Sequence, residues 1–420
     1  MVEEIRRRAS GNESSLVGER SDTAAVARDY RLLLASRVLR SFGFGFIAVL
    51  LGIHLERRGL SPESIGFVLA IGLLTGSLYG LPLAALASRV GRRAVLAGVG
   101  ALMAFTGIDL GLATQPWLLI LAGTTGMLGA ASIDLGPFLA LEQAMLTESV
   151  PSHRRNLAFG RYSLTGGLAA AFGGLSAGLG TTTPRIQGFL LGYAVIGIST
   201  AVIALLLSKA VENPTPGPIL SRASAKPIAA LSALFAVDSL GGGLVIPAVI
   251  AYWLHIRFGA AIQVLGPALG AMAFVQAGSF EAASRLADRF GLVKTMVFTH
   301  LPSNLLLILV PFSPTLAVAV GILILRFSIS QMDVPTRQAY VASIVPASER
   351  AGALALTGTV RGVAQAVGPA LAGLAIQAAS FGTPFFVAGS LKIAYDLGLY
   401  AAFSKRPAEH EPNARGRHHS

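Results

Sequence analysis

The sequence predicts an all-α membrane protein, with twelve transmembrane helices in two pseudo-symmetric six-helix bundles. Three observations carry this expectation. Apolar residues make up 53% of the 420 and charged residues only 13%, about half the usual charged share of a soluble domain. The apolar residues fall into twelve long blocks, each near the ~20 residues that cross a ~30 Å hydrocarbon core as a helix. The first six blocks repeat in the last six at a nearly constant offset.

The blocks run over 32–55, 64–87, 94–113, 117–148, 158–180 and 188–208, then 228–254, 260–286, 294–312, 315–344, 352–379 and 384–403. The first, LLLASRVLRSFGFGFIAVLLGIHL, carries Arg40 eight residues past its start, about 12 Å along the helix axis. A charge at that depth costs at least ~2.5 to 3.5 kcal/mol unless it meets a partner or water. The longest break, KAVENPTPGPILSRASAKP at 209–227, reads as a cytoplasmic linker between a bundle at 32–208 and a second at 228–403. Residues 1–31 and 404–420 are polar and mixed in charge and read as cytoplasmic tails. The first of them lacks the apolar core of a cleavable signal peptide.

The net charge of +12 would raise nucleic acid as a partner in a soluble chain. Here the basic residues gather in alternate loops: Arg89, Arg92 and Arg93; Arg154 and Arg155; Lys209, Arg222 and Lys226; Arg289 and Lys294; Arg350; Lys405 and Arg406. The intervening loops hold only Arg57, Arg58, Arg185 and Arg257. By the positive-inside rule the rich set is cytoplasmic, as are both termini of a chain with an even helix count. The expected location is the plasma (inner) membrane, as a multi-pass protein. Cysteine is absent, which excludes disulfides and thiolate metal sites.

The repeat is specific. RSFGFG from Arg40 answers DSLGGG from Asp238, an offset of 198; Gly66 answers Gly266 and Gly91 answers Gly291 at 200; VPSHRR from Val150 answers VPASER from Val345, and Gly173 and Gly178 answer Gly368 and Gly373, at 195. Gene duplication into parallel halves is the physical reading. Small-residue strings such as GGLAAAFGGLSAGLG at 166–180 suit close helix approach in lipid, where no hydrophobic effect drives association.

Two loops carry a motif: SRVGRR at 88–93 and ADRFGLVK at 287–294. Gly91 and Gly291 suit turns that need positive φ. These loops resemble the paired D-R-x-G-R-R signature of the major facilitator superfamily, and with the six-plus-six layout the resemblance covers residues 32–403. It implies a cytoplasmic gate at Arg89, Gly91, Arg92, Arg93, Asp288, Arg289 and Gly291. Ser88 stands where the family's first copy has aspartate, and Leu292 and Val293 replace the second basic pair, so the lock is expected to lean on the second half. The arginine linked to protons in the family's fourth span is replaced by small residues around Thr125, and Gly173-Gly174 lacks the proline of the antiporter pattern, which appears instead as Gly368-Pro369.

The resemblance also implies that spans 1, 4, 7 and 10 line a central cavity. Each bears charge: Arg40, Asp134, Asp238, and the pair Arg326 and Asp333. Arg40 and Asp238 are equivalent in the repeat, so a two-fold axis along the membrane normal sets them at one height across the cavity. Three carboxylates face two arginines that stay charged. Asp134 or Asp238 is therefore expected to exchange protons while Arg40 and Arg326 hold anionic groups. Competing readings are snorkelling of Arg40 beside Arg37 and a kink-capping role for Asp333 next to Pro335. His54 and His255 read as interfacial anchors, His300 as a packed histidine, and Asp109 and Lys392 as end or outer-span charges.

No Walker loop, H-E-x-x-H or nucleophile elbow is present, so no enzyme activity, cofactor or metal is expected. The expected function is secondary active transport of a small organic solute by alternating access, in the form of proton-coupled export by antiport. Uptake of an organic anion by proton symport or uniport is the alternative, and a non-transporting receptor or structural protein on the same fold is the third. The expected partners are the solute, protons as coupling ion and membrane lipid, with no nucleic acid, in a monomer.

Overall fold

A computed structural model describes residues 2–129, 138, 141, 142, 145, 155–212, 221–346 and 349–403, with side chains from residue 27 onward apart from scattered positions. Among the described residues every regular element is a helix. The first half comprises α1 (Val2–Arg57), α2 (Pro62–Leu78), α3 (Gly80–Val90), α4 (Arg92–Leu112), α5 (Pro116–Thr124), α6 (Arg155–Ala177) and α7 (Thr183–Leu206). The second comprises α8 (Arg222–Gly243), α9 (Pro247–Phe258), α10 (Ile262–Phe290), α11 (Leu292–Leu309), α12 (Leu316–Phe327), α13 (Asp333–Ser343), α14 (Arg350–Gln377) and α15 (Thr383–Phe403). Seven described stretches are long and apolar enough to cross a bilayer, among them Ala27–Arg57, Arg92–Leu112, Thr183–Leu206 and Arg222–Phe258.

Besides the second block, which is interrupted at Tyr79 between α2 and α3, three blocks that read as single helices are broken midway. The fourth leaves α5 for irregular backbone with Gly126 and Gly129 at φ 70° and 62°. In the seventh, residues 244–246 separate α8 from α9, where Pro247 has no N–H to continue the helix and opens the next one instead. The tenth breaks at 328–332 between α12 and α13, where the Ser328 hydroxyl bonds back to Leu325 O at 2.7 Å. Irregular backbone at membrane depth is tolerated where it is buried or lines a cavity, and these breaks share one.

The halves meet along two seams, α2 against α14 and α6 against α10. The repeat's glycines build both. A Cβ on Gly66 would come 2.9 Å from Gly373 Cα, and one on Gly266 would come 2.8 Å from Gly178 Cα. Since 66 answers 266 and 178 answers 373, these are one contact made twice. Within the halves the same holds. A Cβ on Gly45 would lie 2.9 Å from Ala170 Cα, tying α1 to α6, and one on Gly243 would lie 3.0 Å from Gly368 Cα, tying α8 to α14. At the end away from the termini α1 and α9 also touch. A Cβ on Gly52 would be 3.0 Å from Tyr252 Cβ, and His255 Nε2 lies 3.4 Å from Glu56 Oε2.

Candidate functional site

A cavity offering about 190 Å³ to water-sized molecules lies where the broken helices meet. Its two walls differ in chemistry. The first half contributes Phe44, Gly45, Ala48, Gly129, Ala170 and Gly174. The second contributes Asp238, His300, Arg326, Asp333, Arg337, Arg361 and Lys392, together with Gln276, Gln331, Gln338 and Gln365.

The carboxylates on the second wall are engaged. Lys392 Nζ donates to Asp238 Oδ1 at 2.7 Å. Arg337 Nη1 donates to Asp333 Oδ2 at 2.6 Å, one helical turn away, and stands 3.7 Å from Asp238 Oδ2. His300 bridges backwards, its Nε2 lying 3.8 Å from Asp238 Oδ1 and its Nδ1 2.9 Å from Asp396 Oδ1. Asn304 Nδ2 donates to the other Asp396 oxygen at 2.9 Å. Two cations are left over. Arg361 Nε donates only to Ser239 Oγ, at 3.2 Å. Arg326, 5% exposed, has no hydrogen bond or ion pair among the described residues, and its guanidinium stands 5.1 Å from the Phe327 ring centroid.

Arg40 is placed differently. It is 1% exposed and is not among the residues lining the cavity. Its Nη1 and Nη2 donate to Glu142 Oε1 and Oε2 at 2.5 and 2.7 Å, a bidentate pair that is among the strongest a side chain can make. Ser36 Oγ lies 2.6 Å from Nη1, Tyr162 OH donates to Glu142 Oε2 at 2.5 Å, and the guanidinium stacks 4.0 Å from the Phe138 ring. Neither snorkelling nor a pairing with Asp238 describes it. Glu142 and Arg337 are separated by 195, the offset of the neighbouring VPSHRR and VPASER segments. Arg40–Glu142 and Asp238–Arg337 are therefore equivalent pairs with their charges exchanged.

Of the residues expected in the cavity, Asp238, Arg326 and Asp333 line it, Arg40 sits behind the first wall, and Asp134 lies outside the described residues. Glu142, Arg337, Arg361 and Asp396 went unread in the sequence. Lys392, expected as an end or outer-span charge, and His300, expected as a packed histidine and buried as such, both belong to the cavity wall. Helical spacing was the available signal: Asp333 with Arg337, His300 with Asn304, and Lys392 with Asp396 are all i, i+4 pairs. His54 is fully buried, with Nε2 2.8 Å from Leu110 O, rather than an interfacial anchor.

At the loop motifs, Gly91 and Gly291 adopt φ 94° and 88°, the turns their residue type allows. The Glu212 carboxylate accepts from Arg92 N at 2.6 Å and Arg93 N at 3.4 Å, capping α4 at its positive end. Arg92 Nη1 reaches Val211 O at 3.2 Å and the Arg93 guanidinium reaches Leu205 O. These bonds tie the loop to its own half. Arg89 and Arg289 are exposed, and the Asp288 side chain lies outside the described residues.

Repeated helical halves, broken helices and a charged cavity between them define a polytopic membrane transporter. The profile of the Major Facilitator Superfamily matches residues 33–238 and 231–419, and the chain belongs to that family. It is 25% identical to the uncharacterized membrane protein YJR124C of Saccharomyces cerevisiae, over 90% of this chain and 94% of that one. Among solved structures it is similar to the nucleoside transporter NupG, at 14% identity and TM-score 0.69 over 89% of this chain and all of that one. It is also similar to a D-xylose-proton symporter, at 15% and 0.66 over 89% and 97%. A bacterial homologue of the human lysosomal transporter Spinster, in an inward-facing unoccupied conformation, matches at 17% and 0.62 over 90% and 96%. At these identities the structural likeness is one of fold.

Proposed function

We propose that this transporter carries a small organic anion, coupled to protons, by rocking its halves about the central cavity. One observation carries the reading: Arg326 and Arg361 face the cavity without a carboxylate partner among the described residues, beside two acids already engaged by Lys392 and Arg337. A guanidinium at membrane depth is costly alone, and a carboxylate or phosphate supplies its bidentate complement. The glutamines offer hydrogen bonds to the rest of the solute, and the first wall offers it an apolar face. The proton-coupled export expected from the sequence fits less well, because a lipophilic cation would meet two unmatched arginines. Anion and proton entering together balance their charges, which favours symport over antiport. The charge bias of the loops supports a plasma (inner) membrane location with cytoplasmic termini, and the motif loops at Arg89–Arg93 and Asp288–Gly291 support a cytoplasmic gate.

Thermal unfolding of the purified protein with mono- and dicarboxylates, phosphate esters, neutral nucleosides and sugars, and lipophilic cations tests this. Anions should stabilise the protein by about 2.7 kcal/mol at a hundred times their Kd, and the double variant Arg326→Gln, Arg361→Gln should lose the effect. Stabilisation by cations alone, or an anion response that survives in the double variant, rules it out.

A further inference from the structure

We propose that the coupling proton is carried by His300, held between Asp238 and the buried Asp396 in the seam of α11 and α15. The helices α11 and α15 pack along one another and face each other with two i, i+4 pairs, His300 with Asn304 and Lys392 with Asp396. Asp396 is fully buried, and its two oxygens take the His300 and Asn304 contacts at 2.9 Å each. One imidazole thus joins two carboxylates, Nδ1 to Asp396 and Nε2 towards Asp238 at 3.8 Å. The Tyr395 ring stands at 83° to it with centroids 6.0 Å apart, fixing its plane. With Nδ1–H donated to Asp396, Nε2 is the atom left to gain and lose the proton, and it is the one nearer Asp238 on the cavity wall.

The charges around the ring set its task. From α15 come Lys392, Asp396 and Tyr395; from α8, Asp238; from α13, Asp333 and Arg337; from α12, Arg326; from α14, Arg361. Asp238, Asp333 and Asp396 stand against Lys392, Arg337, Arg326 and Arg361, so this set carries one positive charge with a neutral ring and two with an imidazolium. An uncompensated charge at such depth is expensive. An anion bound at Arg326 and Arg361 offsets the positive charge that a proton on His300 adds, so by linkage the bound anion and the proton hold each other in place. On release, the Nε2 proton passes to cavity water as the ring becomes neutral. This mechanism rests on the anion reading of the cavity, although the proton site itself can be tested without a ligand.

The first measurement needs no ligand. The infrared difference between wild type and His300→Gln should show one imidazole that gains and loses a proton, and Asp396→Asn should displace that transition. Proteoliposomes then supply the coupling test, with labelled benzoate, succinate and glycerol 3-phosphate as probes. A pH difference of one unit should drive about tenfold accumulation of the transported probe in wild type. His300→Gln and Asp396→Asn should abolish accumulation while keeping exchange of internal for external probe, which needs no net proton movement. Accumulation retained in both variants overturns the proposal, as does loss of accumulation and exchange together in variants with wild-type melting. If no probe moves in wild type the anion reading fails, and the infrared titration decides the proton site: its absence overturns the assignment.

Discussion

Arg40 with Glu142 in the first half, and Asp238 with Arg337 in the second, occupy equivalent places in the repeat with opposite polarity. The first pair is closed at 2.5 and 2.7 Å, sealed by Tyr162 and Phe138. The second stands open at 3.7 Å, because Lys392 draws off Asp238 and Asp333 draws off Arg337. Among the described residues, one half keeps this pair closed within itself and the other spreads its counterpart into a network that reaches the cavity and leaves Arg326 and Arg361 over. A self-satisfied pair can only stabilise, whereas a shared and incomplete one can respond to what enters.

The largest test breaks the closed pair. Glu142→Ala should cost about 3 to 5 kcal/mol by leaving Arg40 buried without a counter-charge, and the double variant Arg40→Leu, Glu142→Leu should recover most of it. Chemical unfolding of both in detergent is the measurement, and equal stability of Glu142→Ala and wild type would remove the contrast between the halves. Next come the symmetric seams. Gly66→Val and Gly266→Val should each cost roughly 1 to 3 kcal/mol by overpacking, because each meets backbone at under 3 Å. Similar losses at both would show that the halves differ inside the cavity and agree at their border.

On the open side, Arg326→Leu should leave melting unchanged or raised, since a buried unpaired charge is replaced by an apolar group of similar reach, yet it should abolish anion-induced stabilisation. A loss of stability like that of Glu142→Ala would make the open network as structural as the closed one. The smallest effect lies outside the membrane at Glu349, whose carboxyl is held below its usual range by hydrogen bonds from Ser224 and Ser221 at the start of α8. A depressed folded pKa stabilises above the unfolded value and is lost as pH falls through the folded one. Glu349→Gln should therefore lower melting slightly at pH 7, with the difference closing as pH falls below about 4.

The fold was legible because its two decisive contacts are made by glycines, and a glycine demanded by backbone contact leaves the same mark in both repeats: 66 with 266, 178 with 373. The cavity was legible only in part. Asp238, Arg326 and Asp333 stand deep in blocks the repeat places centrally. Glu142, Arg337 and Arg361 were equally inside their blocks, but depth along a helix does not say which face a side chain takes or what opposes it. Lys392 was discounted with the outer helices and Asp396 went unread, and only the fold brings Lys392 against Asp238, 154 residues away. The break at 244–246 falls on the apolar Leu244, Val245 and Ile246, so hydropathy alone could not find it, whereas the one at 328–332 lies where the tenth run turns polar at Ser328, Ser330, Gln331 and Asp333.

The two seams between the halves meet largely backbone to backbone, through Gly66 with Gly373 and Gly178 with Gly266, and Glu56 and His255 add a partly exposed charged contact. Surfaces of this kind expose little greasy area when they part and need few rotamers to change when they meet again. Under the proposed rocking of the halves, such a border would let a solute that prefers one orientation by a few kcal/mol tip the population. Smooth borders make the carrier's conformation a property of its cargo.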